Sequence, residues 1–432
     1  MNLGRSARIR LFPFITEVIE IQIGVMGAGR EVGRSAFLID EKIMLDYGIK
    51  PTDPPEYPQG SARPETIVIS HGHLDHCGVV PNLMDLQPAV IATPPTKHLT
   101  KLLAEDTMEI AESSSSIAPF DPVDISQLMR LTRELDYLDS IERNDHTITL
   151  FDAGHIPGSS LVLVENGETS LLYTGDIKNS DTRLIRGSKI HYPEATALLL
   201  ESTYFGKDHQ DRGQLERKFI ESIRHTIDIG GSVVIPSFAI GRTQEILLIL
   251  KEHGIRSYVD GMGREVTDIF LKDPEYLRDP GRLKAAYGYS TTVKGSMRRS
   301  LLDEPCVIVT TAGMLNGGPA LSYLKKIYDN PKHKVILTGY QVENTNGRNA
   351  LTTGTIDLDG EIVKLRCQLE QYSFSAHSGD AELKAIVKYM VDKGTEHVFC
   401  VHGDHTVEFA EWIKQEFDVN AYAPKIGEEY II

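Results

Sequence analysis

The chain is 432 residues long, with 61 acidic against 45 basic residues, a formal net charge of −16, and 41% hydrophobic and 25% charged residues. That length exceeds one ordinary core, so two or three domains of about 150 residues are expected, and the composition is that of a soluble globular protein with no apolar run near the roughly 18 residues of a membrane span. Cys77, Cys306, Cys367 and Cys400 lie far apart with no CxxC pair, which argues against a disulfide framework and a thiolate zinc site and favours a reducing cytoplasm.

The opening MNLGRSARIRLFPFITEVIE carries basic residues before an apolar patch. Glu17 and Glu20 interrupt it and no small-residue cleavage site follows, so it reads as mature chain without an export signal. AFLID and KIMLDY are strand-like, and the prolines of PTDPPEYPQGSARP, 51–64, predict an ordered loop before the next strand, TIVIS. TITLF, SLLYTGD, ALLLES, SVVIPSF, CVIVTT, KVILTGY and HVFCVHG continue the series, alternating with helical patterns such as GRTQEILLILKEHG and GDAELKAIVKYMVDKG. The alternation predicts an α/β chain. No internal repeat is present, and SSSS at 113–116 is too short to signify.

Metal-capable residues recur at the carboxyl ends of the apolar runs. Asp46 ends KIMLD, His71 follows TIVIS, His155 comes just after TITLFDAG, Asp176 ends LLYTGD, Glu201 ends ALLLE and His402 ends HVFCVH. Strand ends gathered at one sheet edge are where open α/β sheets place their sites. The densest stretch is HGHLDHCG, 71–78: His71 and His73 alternate and can reach one ion, Asp75 and His76 can serve a second, and Asp176 offers a bridging carboxylate.

A net acidic charge counts against a polyanionic ligand unless cations are gathered locally. Arg282, Lys284, Lys294, Arg298 and Arg299 lie in a stretch, 282–302, with no acidic residue, and Lys178, Arg183, Arg186 and Lys189 form a second group. Each is either a solvated surface or part of a basic cleft in an acidic protein.

HGHLDH, with Asp46 before it and DAGH and TGD after it, resembles the metallo-β-lactamase superfamily. ESTYF (201–205), FSAHSG (374–379) and VHGDH (401–405), with GRTQE, DGMG and TAGMLNGGP, resemble its β-CASP branch of nucleic-acid-processing nucleases. The likeness runs from about residue 20 to the end and is strongest to archaeal relatives of the nuclease subunit of the cleavage and polyadenylation specificity factor. It implies an α/β fold: an αββα metallo-β-lactamase sandwich, 20–205 and 352–432, with an inserted α/β β-CASP domain at 206–351.

The resemblance further implies two zinc ions per chain, one held by His71, His73, His155 and Asp176, the other by Asp75, His76, Asp176 and His402. Asp46 would orient a ligating imidazole, His377 would be the general acid with Glu201 orienting it, and Asp75 counts with these among the catalytic groups. Arg242, at a helix start after SVVIPSF, is a candidate phosphate contact. Lys294 and Arg298 are candidates in the basic stretch, and Ser375 and Ser378 could bind a 5′ monophosphate.

The implied activity is a zinc-dependent ribonuclease acting on single-stranded RNA. It would be endonucleolytic, as the FSAH form of its general-acid motif suggests, with 5′-to-3′ trimming as a second mode. Four alternatives stay open: a strict 5′-to-3′ exoribonuclease similar to ribonuclease J, a DNA nuclease, a small-molecule hydrolase and a metal-free RNA-binding scaffold. A homodimer is expected through the C-terminal region, because FDVNAYAPKIGEEYII ends in an apolar strand-like YII that needs covering, either by a second copy or within the chain.

Overall fold

The computed structural model describes residues 20–52, 54–114, 116–167, 169–189 and 192–432. The opening segment 1–19, expected to be mature chain, lies outside them. Among the described residues the strands form two seven-stranded sheets, one six-stranded sheet and a two-stranded ribbon.

The two large sheets face each other. From the first, Ile23, Phe37, Ile39 and Leu45 meet Ile148, Val162, Leu171 and Phe399 of the second in one core. Alternate residues of the same strands point outward. Met44, Ile67 and Val90 pack against Leu99 and Leu103 of the helix Pro94–Ser114, while Leu198 and Leu200 pack against Leu383 and Ile386 of Asp380–Asp392 and Phe409 of Thr406–Glu416. Helices therefore cover both outer faces, giving the αββα sandwich. ALLLE and TIV are unbroken apolar runs because both of their faces are buried.

The third sheet is wholly parallel, in the order Thr291–Thr292, Tyr258–Asp260, Val307–Thr310, Val233–Pro236, Lys334–Leu337, Gln368–Gln371. Parallel pairing brings all its carboxyl ends to one edge. Ile235 and Val309 on one face belong to the cluster that includes Leu247 and Phe270, and Val234 and Ile308 on the other to that of Tyr323 and Leu324. The expected return to the sandwich at 352 differs from what is seen. Position 351 falls inside the helix Asn346–Thr353, a ribbon Thr355–Leu358 and Glu361–Lys364 follows, and Gln368–Gln371 still pairs with Lys334–Leu337. That strand is a half-exposed sheet edge, so it lacks the long apolar run that would have marked it.

The C-terminal strand Glu429–Ile431 pairs antiparallel with Gln22–Val25, matching Ile23 to Tyr430. The YII tail is thus paired within the chain on one side. Its other side is the sheet's end, where Ile431 is 63% exposed.

An ion pair between His146 and Asp40 joins the two large sheets. His146, which opens the strand His146–Asp152, places Nε2 2.7 Å from Asp40 Oδ2, just past the strand Phe37–Ile39, and Nδ1 2.6 Å from the Asn144 carbonyl. With an acceptor at each nitrogen the imidazolium is favoured. The hydrogen bond to Asp40 outweighs burial and holds His146 above its usual value of 6.5. A raised histidine pKa contributes stability that is full below about pH 6.5 and is lost as the pH rises through the folded-state value. Urea unfolding should therefore find Asp40→Asn less stable than wild type by about 1–2 kcal/mol near pH 6, with the difference shrinking steadily towards pH 9. A pH-independent difference would reject a charged His146.

Candidate metal centre and active site

The strand Thr66–Val68 runs into HGHLDH, where a single helical turn, Leu74–Cys77, reverses the chain. That turn is tight. A Cβ on Gly48 would stand 1.9 Å from the Asp75 carbonyl oxygen, so only glycine admits it there. His71 Nε2 and His155 Nε2 each lie 3.1 Å from His73 Nδ1, and both lie 3.5 Å from Asp176 Oδ2. On the other side of the same carboxylate, Asp176 Oδ1 is 3.3 Å from His76 Nε2 and 3.5 Å from His402 Nδ1, while His402 Nε2 is 3.3 Å from Asp75 Oδ2. The structure thus gathers His71, His73, His155 and Asp176 into one group, and Asp75, His76 and His402 into a second that Asp176 adjoins.

These residues fit a divalent metal. Four ligands at about 2.0–2.1 Å from a tetrahedral ion have edges of about 3.3 Å, and four of the first group's six edges are 3.1–3.5 Å. Asp176 Oδ1 is buried and has no hydrogen-bond partner among the described residues. Burial, reinforced by the His71 charge, pushes His73 down to about 3, and burial likewise holds His155 well below the histidine range. Both are therefore neutral imidazoles, the form that ligates. Burial would raise Asp176, but His76, His402 and His377 around it carry it well below the carboxylate range.

Asp46 organises the second group from behind. It is 0% exposed; its Oδ2 lies 2.7 Å from His76 Nδ1 and accepts from Tyr173 OH and Ser70 Oγ, both 2.7 Å, while Oδ1 accepts from Ser70 N at 2.6 Å. Ser70 and Tyr173 are the residues the sequence reading missed. Their only signal is position, one immediately before His71 and the other ending the strand before Thr174-Gly175-Asp176. Gly175 has φ +49°, and a Cβ on it would stand 2.8 Å from Ser70 Oγ, so glycine lets the two loops meet.

His377 stands beside the first group. Its Nδ1 is 3.0 Å from Glu201 Oε1 and its Nε2 is 3.8 Å from Asp176 Oδ2. Glu201 is itself fixed, accepting from Ile177 N at 3.0 Å and Thr203 N at 3.2 Å. Burial opposes a charged His377, yet Glu201 and Asp176 push it up to about 9. The same segment reaches back to the ligands, for Ala376 O lies 2.8 Å from His155 Nδ1.

The five substrate candidates divide. Arg242 lies at the start of the helix Arg242–Glu252 and donates to the Thr338 carbonyl; Gly241 before it lies against Ile156, the neighbour of His155. Ser375 borders a cavity of about 300 Å³ that Lys178, His209, Arg212 and Ser373 also line, and its Oγ accepts from His377 N at 3.1 Å. Ser378 is not presented to this cavity: it is 0% exposed and its Oγ accepts from Asn179 N. Arg298 is also committed elsewhere, bidentate to buried Asp260 at 2.6 and 2.8 Å, so the basic stretch offers Lys294, which is exposed, and not Arg298.

Three family profiles match the chain: Metallo-beta-lactamase superfamily over residues 29–236, Beta-Casp domain over 243–349, and Zn-dependent metallo-hydrolase RNA specificity domain over 362–424. Probable RNase MJ4 of Methanocaldococcus jannaschii is 38% identical over 95% of this chain and 99% of its own. RNase aCSPSF2 of Saccharolobus solfataricus is 36% identical over 94% and 84%, and Transcription termination factor FttA of M. jannaschii 32% identical over 94% and 70%. A solved Enterococcus faecalis protein of unknown function, 12% identical, has a TM-score of 0.59 over 96% of this chain and 100% of its own, a likeness of fold alone.

Replacing an acceptor behind a metal-ligating histidine typically costs 10- to 100-fold in metal affinity. Asp46→Asn should show a loss of about that size in a competitive chelator titration, with its circular dichroism unchanged. Wild-type affinity would remove Asp46 from the metal site.

Proposed function

The chain belongs to the β-CASP branch of the metallo-β-lactamase superfamily, and on that premise we propose that it is a zinc-dependent ribonuclease hydrolysing phosphodiester bonds of single-stranded RNA. The observation that carries this reading is the gathering of six metal-capable side chains around Asp176, with the His377–Glu201 pair alongside. The relatives named as ribonucleases supply the substrate class.

Two zinc ions, one per ligand group, would supply an activated water and neutralise charge building on the phosphate. Around them the chain's own residues position and protonate. Asp46 and the Ala376 carbonyl hold His76 and His155 in ligating orientation. Glu201 holds His377 at Nδ1, leaving Nε2 to deliver a proton to the departing 3′ oxygen. Arg242, Ser375 and Lys294 are the substrate contacts this reading retains. We place the inserted unit at 206–371, since its sheet continues to Gln371, with the sandwich on either side.

Cleavage is endonucleolytic, on the strength of the FSAH motif, with 5′-to-3′ trimming as a second mode. Four free cysteines support a reducing, cytoplasmic setting, and no helix among the described residues is long and apolar enough to cross a membrane. Among the described residues no strand pairs with the outer side of Glu429–Ile431, which supports a homodimer formed edge to edge.

Chelation should abolish cleavage of a single-stranded RNA and zinc should restore it. His377→Ala should keep its metal but cut about 10²- to 10⁴-fold more slowly. A circular single-stranded RNA should also be cut. If the circle survives while its linear 5′-monophosphorylated form is consumed to mononucleotides, the strict exonuclease reading replaces this one. For the dimer, light scattering should give twice the chain mass for wild type and the monomer mass for Ile431→Lys. Equal masses would reject this edge as the interface.

A further inference from the structure

Tyr340 ends KVILTGY at the carboxyl edge of the third sheet, and its side chain is 53% exposed. An exposed tyrosine alone means little. What distinguishes this one is how firmly its backbone is held and by what. Thr338 O accepts from Arg242 Nη1 and, at 3.4 Å, from Phe374 N, three residues before His377. Gly339 O accepts from Gln371 Nε2 at 3.0 Å. Gln341, 2% exposed, spreads its amide over the carbonyls of Gly313, Gly339 and Tyr340 itself at 3.0–3.2 Å. The Phe238 ring lies beneath, so close to Gly339 that a Cβ there would stand 2.7 Å from Phe238 Cε2.

The loop that carries Tyr340 is therefore tied to the segment that carries His377, and the ring is displayed on a rigid mount. Burial raises its hydroxyl, Asp404, two residues past His402, adds to this, Arg348 opposes it, and Glu343 and Tyr204 add further; the Tyr204 ring centroid is 5.9 Å from that of His377. Among the described residues the Tyr340 side chain makes no hydrogen bond or ring contact. A flat, apolar, pre-positioned face beside a phosphodiester-cleaving centre matches one ligand chemistry, a nucleobase, because every base presents a π-face and stacking costs a rigid ring little entropy.

We propose that Tyr340 is a stacking platform for an unpaired nucleobase of the substrate, next to the scissile phosphate. This rests on the ribonuclease reading above and adds the residue that grips a base. It also gives a physical ground for preferring single strands, since a base within a duplex is already stacked and paired on its own neighbours.

The test is a mutant cycle on single-stranded RNA, with one abasic nucleotide placed at each position in turn. Tyr340→Ala should lower kcat/KM about 5- to 100-fold, while Tyr340→Phe, which keeps the ring, should stay near wild type. One abasic position should reproduce the loss in the wild-type enzyme and cause little further loss in Tyr340→Ala. Equal activity of Tyr340→Ala and wild type overturns the platform, as does a loss in Tyr340→Ala that adds to every abasic position alike, the mark of a structural defect. A wild-type protein that cuts no RNA at all overturns the ribonuclease reading, a result distinct from either of these.

Discussion

Asp176 presents one carboxylate oxygen to His71 and His155 and the other to His76, in a site almost closed to solvent. Holding an ionised carboxylate there, with Oδ1 lacking a hydrogen bond, is costly unless cations stand against it. Imidazole nitrogens 3.1 Å apart likewise need a proton or a metal ion between them, and His73 Nδ1 faces two such neighbours. The fold can hold such an arrangement only because the strands beneath are buried on both faces and leave no room to relax. Local geometry adds to the cost, since Asp46 and His402 both adopt left-handed backbone conformations, φ +59° and +49°, at the ends of their strands. Much of the sandwich can be understood as the frame for this one unfavourable cluster.

The metal-capable residues were legible because each terminates an apolar run: strand, then ligand, is a pattern that survives without knowledge of pairing. The apolar runs likewise announced strands, among them those at Thr66–Val68 and Ala197–Glu201. What could not be read was the context supplied by partners distant in sequence. Ser378 and Arg298 have suitable chemistry for phosphate, but Asn179 and Asp260 occupy them, and neither partner is near in the chain. Ser70 and Tyr173 escaped notice because a hydroxyl beside a strand end is common, and only the fold shows both aimed at Asp46. The edge strand Gln368–Gln371 was missed for a different reason. An edge strand buries too little to need alternating apolar residues, so its membership of the third sheet is a matter of pairing alone.

Charge illustrates the same limit. An excess of 16 negative charges spoke against a polyanionic substrate, and the basic stretch at 282–299 seemed the natural remedy. Arg282 is instead paired with Glu252 and Arg298 with Asp260. The cations near the centre are held by neighbours of opposite sign, Lys178 by Glu382 and Arg212 by Glu245. Part of the positive charge is thus already neutralised, which leaves Arg242 and Lys294, with metal charge and aromatic faces, to meet a phosphate backbone.

The 2.8 Å contact from His155 to the Ala376 carbonyl ties the first group of metal-capable residues to the segment that leaves the third sheet. His155 belongs to the sandwich, while residues 372–377 arrive directly from the third sheet, carrying the carbonyl and, one residue later, His377. The result is a mechanical interlock. The turn that sets His377 against Glu201 also fixes the His155 imidazole, so one short segment orients two side chains of the centre at once.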